Sequence, residues 1–129
     1  MEKNQNFEKG ICYSRDEIFK ILGGSKQYYL PIRNGHVLYG AFRKDLNPDA
    51  PKVVLPGTGT IIEKSARIFA TQKEPIPVFI KYDISKWKYM GDFVVKKLSE
   101  DPKVIKDHVA KTNSKRTDIT MVLYLEEAK

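Results

Sequence analysis

The stretch Trp87-Lys88-Tyr89-Met90-Gly91-Asp92-Phe93-Val94-Val95 constrains the fold more than any other. Its side chains alternate with strand period. Trp87, Tyr89, Phe93 and Val95 are expected on one face, and Lys88, Asp92 and Lys96 on the other. Gly91 interrupts the large side chains, as at a bulge or where another group approaches the backbone. A Trp and a Tyr two apart on a glycine-kinked strand can wall a pocket for a planar base. The same pair can equally be core.

The chain of 129 residues suits one domain, 1–129, with residues 1–8 polar and expected to fray. Its start has no apolar stretch of the secretory kind, and no apolar run reaches the roughly 18–20 residues of a membrane helix. Cys12 is the single cysteine, which excludes an internal disulfide and a multi-cysteine zinc site and suggests a cytoplasmic location. The net charge of +7 favours a polyanionic partner. That excess is spread out: residues 1–72 carry 11 basic and 7 acidic groups, and the remainder 12 and 9.

Local signals set the elements. Ser14-Arg15-Asp16-Glu17 is a capping box opening a short helix to about Leu22, ended by Gly23-Gly24. Asn34-Gly35 marks a two-residue turn in a hairpin over Tyr28–Phe42, with Arg33 facing His36 and Ile32 facing Val37. Residues 43–51 read as a loop, and Lys52–Leu55 as a strand. Thr60-Ile61-Ile62-Glu63 predicts a second capping box and a helix to about Gln72. Val78–Tyr82 is a strand. Asp101 caps, and Pro102 starts, a helix to about Lys111. Asp118–Leu125 is the closing strand. About six strands with three short helices and short connections predict an α+β fold, a small mixed β-barrel flanked by helices.

Several motifs invite chemistry. Gly57-Thr58-Gly59 between a strand and a helix resembles a phosphate-cradling turn, but it lacks the rest of a phosphate loop and reads first as a turn. His36 and His108 do not pair with clustered cysteines or carboxylates, and His108 sits on the apolar side of its helix. Cys12 reads as a small buried residue in the first strand. No metal or other cofactor is expected. The loop after Tyr39-Gly40-Ala41-Phe42 brings Asp45, Asn47 and Asp49 next to an aromatic strand. Such groups can read the edge of a base, and they also form turns.

The pieces Pro31–Gly35, Leu46–Pro51, Val54–Gly57, Pro77–Lys81 and Trp87-x-Tyr89-x-Gly91 together resemble bacterial restriction and phage-defence proteins. The last of these also resembles the PUA-like superfamily, with its SRA and EVE/YTH readers of modified bases. The resemblance implies a small barrel whose aromatic pocket takes an extruded or modified base, here walled by Trp87 and Tyr89, with Tyr39 beside them. It implies a DNA-binding reader without catalysis, partnered by a nuclease or helicase in another chain. Basic candidates for phosphate contact are Arg33, Arg43, Lys44, Lys64, Arg67 and Lys81. Three other readings remain open: an RNA-binding module of the same kind, a small enzyme using the loop carboxylates, and a protein-interaction or scaffold subunit.

Overall fold

The computed structural model describes residues 6–112 and 115–128. The first elements are β1 (Cys12–Tyr13), α1 (Arg15–Leu22), β2 (Ile32–Arg33), β3 (His36–Val37), β4 (Gly40–Arg43) and β5 (Val53–Val54). There follow α2 (Thr60–Thr71), β6 (Ile76–Asp83), β7 (Lys86–Ser99), α3 (Pro102–Lys111) and β8 (Val122–Glu127). The architecture is mixed α+β.

Helix α1 has the full capping box. Ser14 Oγ accepts from the Glu17 N–H at 3.1 Å, and Glu17 Oε1 accepts from the Ser14 N–H at 2.9 Å. Helix α3 starts as expected, with Asp101 accepting from the Lys103 N–H and Pro102 in the first turn. Helix α2 departs from its predicted box. Gly59 takes the capping position with no side-chain cap, and Thr60 is already helical. The φ of Gly59 is 147°, which threonine rarely adopts, so the helix entry falls on the glycine. Half the box survives, because Glu63 accepts from the Gly59 N–H at 3.2 Å.

The Asn34-Gly35 turn has positive φ at both positions, 54° and 77°, and sets Ile32 opposite Val37 and Arg33 opposite His36. The ladder is shorter than the expected 28–42. Residues Gly40–Arg43 leave it as β4 and pair in parallel with β6, Gly40 beside Val78 through Arg43 beside Lys81. The predicted start of the closing strand also moves. Residues 115–121 form no ladder, and β8 begins at Val122. Arg116 and Asp118 bind each other there instead.

The main sheet runs β4-β6-β7-β8-β5, with β1 on the free edge of β7. Strand β7 is its spine. Residues 86–93 pair with β6, and residues 93–99 pair with β8. At the centre Val78 faces Gly91 while the next residue, Phe79, faces Tyr89. Met90 is therefore an extra residue, and β7 carries a bulge there. The bulge overturns the expectation that Trp87, Tyr89, Phe93 and Val95 share one face. Trp87 and Tyr89 pack with Phe7, Ile18, Tyr39 and Phe79. Phe93 and Val95 pack on the other side, with Phe42, Phe69, Val78, Ile80 and Leu123. The sheet thus has a core on each face, one under α1 and one under α2. Residues 1–5 of the segment expected to fray lie outside the described residues. Phe7 is tied down, its ring edge-on to Tyr13 and Phe79 at 5.0 and 4.9 Å.

Gly91 has φ 117°, and a Cβ there would stand 2.6 Å from Glu127 Oε2. Gly91→Ala should therefore cost about 1–3 kcal/mol through backbone strain and the displaced carboxylate. Equilibrium urea unfolding measures this, and an unchanged midpoint would show that the bulge tolerates a side chain.

Candidate nucleic-acid interface

The sheet path begins at β4 and ends at β5, and no ladder joins these two strands among the described residues. A cleft of about 650 Å³ opens between them. Phe42 and Leu55 form part of its apolar lining, with the entry of α2 at Ile61 and Ile62. Arg15, Arg43 and Arg116 also line it, and Trp87 contributes from the spine strand. The volume lies in the ordinary range for a small-molecule site.

Arg15 follows the cap of α1, and its side chain turns inward. Nη2 donates to the Ser25 and Tyr28 carbonyls at 2.9 Å each. Its Cζ lies 5.1 Å from the Trp87 ring centroid and 5.6 Å from that of Tyr39. Nε is buried without a partner. No carboxylate of the described residues is within ion-pair distance of Arg15. A half-buried cation without a counter-ion raises the affinity of a low-dielectric cleft for an anion.

Arg116 has the opposite electrostatics. It forks onto Asp118, Nε to Oδ1 at 3.0 Å, and also donates to the carbonyls of Leu46 and Leu55 at 3.0 and 2.8 Å. Its guanidinium holds the Asp118 carboxyl below the ordinary value of 3.8. Gly57 makes room for this pair, since a Cβ would come 2.5 Å from Asp118 Oδ2. The Gly57-Thr58-Gly59 motif therefore serves a close approach and a helix entry.

The predicted site residues separate into distinct places. Trp87, Asn47 and Arg43 line the cleft. Trp87 is only 7% exposed and lies against the cations of Arg15 and Lys81, so it offers an edge rather than a free face. Asn47 is buried, its amide donating to the Arg43 carbonyl and accepting from the Leu55 N–H at 2.8 Å. It closes the loop and has little capacity left to read a ligand. Tyr89 and Tyr39 move from the pocket wall into the core. The Tyr89 hydroxyl donates to Asp92 at 2.6 Å, and burial together with that carboxylate holds the phenol above its ordinary range. The Tyr39 hydroxyl donates to the Ser25 carbonyl, and its ring stands edge-on to Phe79.

Arg43 pairs with Asp45 and, with Lys44 and Lys81, also lines a shallower depression outside the cleft. Lys64 and Arg67 lie on the outer side of α2, where Arg67 pairs with Glu100. Arg33 is exposed on the β2–β3 hairpin, and Asp49 is exposed with its carbonyl accepting from Lys52 and Val53. Cys12 is exposed rather than buried. His108 bonds the Tyr124 hydroxyl at 2.7 Å, joining α3 to β8. Among the described residues no group of three or more His, Cys, Asp or Glu could hold a metal ion.

The sequence reading missed Arg15, Tyr28 and Arg116. Tyr28, 47% exposed, presents the accessible ring of the cleft. The Tyr29 hydroxyl beside it donates to the Ile62 carbonyl, and burial pushes its pKa up to about 12. An exposed tyrosine next to a capped helix is a weak but readable signal. Nothing local marks Arg15 or Arg116.

Residues 12–121 match the family described as Domain of unknown function (DUF6697), and the chain belongs to that family. No curated protein matches it. No solved structure does either.

Asn47→Ala would leave the buried Leu55 N–H unpaired and should cost about 1–3 kcal/mol in urea unfolding. The Asp118 carboxyl titrates lower in the folded chain than in the unfolded one. Its stabilisation is therefore present above the unfolded value and lost as the pH falls through the folded one. The stability gap between the wild type and Asp118→Asn should be constant near neutrality and close in acid below about pH 4. Thermal melts across that range check the sign, and a gap that widens in acid would refute it.

Proposed function

We propose that this chain is a nucleic-acid-binding module, most suited to DNA carrying a modified base, with the base seated in the cleft between β4 and β5. The observation that carries this reading is an apolar cleft lined by the guanidinium of Arg15, which has no ion-pair partner among the described residues, in a chain of net charge +7. An extruded base needs a planar apolar seat and polar contacts at its rim. Tyr28 supplies the accessible ring, Arg15 backed by Trp87 supplies a cationic plane, and the chain's spread lysines supply salt-dependent affinity. We read the sheet, whose path runs from β4 to β5, as a small barrel of the PUA-like kind, left open at the cleft. The exposed Cys12 thiol fits a reducing cytoplasm.

The module acts as a reader without chemistry of its own, and any cutting or unwinding belongs to a nuclease or helicase partner. The enzymatic alternative needs a basic carboxylate. Of the loop carboxylates, Asp45 lies beside Arg43, which holds it below its ordinary range and weakens it as a proton acceptor.

Duplexes with and without modified cytosine or adenine test the reading by fluorescence anisotropy. Affinity should fall with salt at a log–log slope of about −0.9 per phosphate contact. Tyr28→Ala should weaken the preferred site by about 1–3 kcal/mol, the scale of a base–aromatic stack. Its unfolding midpoint should be unchanged, because the ring is exposed. No binding at low salt, or full selectivity in Tyr28→Ala, would sink the proposal.

A further inference from the structure

Beyond the cleft, the β6–β7 hairpin carries features that its packing does not explain. Tyr82 is 56% exposed and Ile84 81% exposed, at the tip of an otherwise well-buried ladder. Lys81 faces Trp87 and Asp83 faces Lys86, so Tyr82 is an extra residue in β6, a bulge. Bulges re-aim side chains, and this one carries Tyr82 outward. The Lys88 ammonium lies 4.3 Å from the Tyr82 ring centroid. Tyr82, Asp83 and Ile84 share a depression of about 370 Å³ with Arg43, Lys44, Asp45 and Lys81, where Asp45 pairs with Arg43 and leaves the lysines as the cations without a carboxylate partner among the described residues. Among the described residues Lys81, Lys86 and Lys88 have no carboxylate within ion-pair distance.

This depression adjoins the cleft. Arg43, Lys81 and Trp87 form one row across β4, β6 and β7. Arg43 lines both recesses, Trp87 lines the cleft, and Lys81 lines the depression with its ammonium 5.6 Å from the Trp87 ring. A strand with one base in the cleft would carry its next phosphate over Arg43 and Lys81 and its next base toward Tyr82. An exposed ring flanked by free ammonium groups is the usual seat for stacked bases of a single strand.

We infer that the Tyr82 face of the β6–β7 hairpin is a second nucleotide subsite, which takes an unpaired nucleotide flanking the one in the cleft. The chain therefore prefers a single-stranded or locally opened segment to an intact duplex. The inference rests on the cleft reading for the order of the two nucleotides, and the hairpin's own binding can be measured separately.

The probe is a labelled oligothymidylate about 12 nucleotides long, within the site size of one small domain, compared with its matched duplex. Tyr82→Ala should weaken single-strand binding about 5- to 100-fold, the effect of removing one base stack, with a much smaller change on the duplex. Tyr82→Phe should bind the single strand like the wild type, since the ring and not the hydroxyl is used. Wild-type affinity in Tyr82→Ala, or an equal loss on strand and duplex, would overturn the inference. Tyr28→Ala separates the two readings. Single-strand binding lost in Tyr82→Ala and kept in Tyr28→Ala upholds the hairpin and removes the cleft as a seat for an unmodified base of the single strand. The reverse result upholds the cleft and removes the hairpin.

Discussion

The extra residue at Met90 governs the molecule. A strand of 14 residues with strict alternation would commit all its large side chains to one side of a sheet. The bulge changes that. It lets β7 give Trp87 and Tyr89 to the core beneath α1, and Phe93 and Val95 to the core beneath α2. Gly91 makes it possible, since its backbone takes a positive φ and its missing side chain admits Glu127 and Lys9. Past the bulge the strand changes partner from β6 to β8. That change of partner puts β4 and β5 at opposite ends of one sheet, with the cleft between them.

Guanidinium groups then build the cleft walls. Arg15 gathers the Ser25 and Tyr28 carbonyls, and Arg116 gathers those of Leu46 and Leu55. Hydrogen bonds to a charged donor are worth about 1.5–3 kcal/mol each, enough to order loops that no ladder holds. The two walls differ in charge. Asp118 neutralises Arg116, while Arg15 keeps its charge over an apolar floor. The cleft is thus polarised, which favours a ligand with a planar body and an anionic side.

Features set within a few residues were readable in the sequence. The Ser14 box, the Asn34-Gly35 turn with its register, and the Asp101-Pro102 helix start all fold as read, because each is decided by its own backbone. Gly91 was readable as an interruption, but its consequence was not. Whether a strand glycine flips the face depends on the register of the partner, here Val78 and Phe79. Alternation likewise marks Tyr89 and Tyr39 as facing inward from one side, and cannot say whether that side meets solvent or a second core. The second core comes from Phe7 and Ile18, which arrive from the amino-terminal segment. Arg15 was hidden for a related reason. In the first turn of an amphipathic helix an arginine reads as solvated, and only the returning 25–28 segment gives it carbonyls to bind. The late start of β8 was hidden in the same way, because only the folded chain gives Arg116 the carbonyls of Leu46 and Leu55 to bind beside Asp118.

The division between core and cleft bears on how such a domain can accept a ligand. Both cores are closed by side chains that pack against the sheet and do not line the cleft, apart from Phe42, Ala41, Trp87 and Tyr29. The loops beside the cleft are tethered by hydrogen bonds from arginines that a ligand could also engage. An anion at Arg15 would compete for or complement the donors that now hold Ser25 and Tyr28. Occupancy of the cleft and the position of the Tyr28 segment are then one coupled equilibrium, in which the ligand is favoured only by its differential contact with the rearranged loop. The sheet sets the spacing from Arg43 to Tyr82. The 25–28 loop sets how Tyr28 stands against them. On the proposed function, discrimination and general affinity would be separable, the first resting on Tyr28 and Arg15 and the second on the lysines of the hairpin.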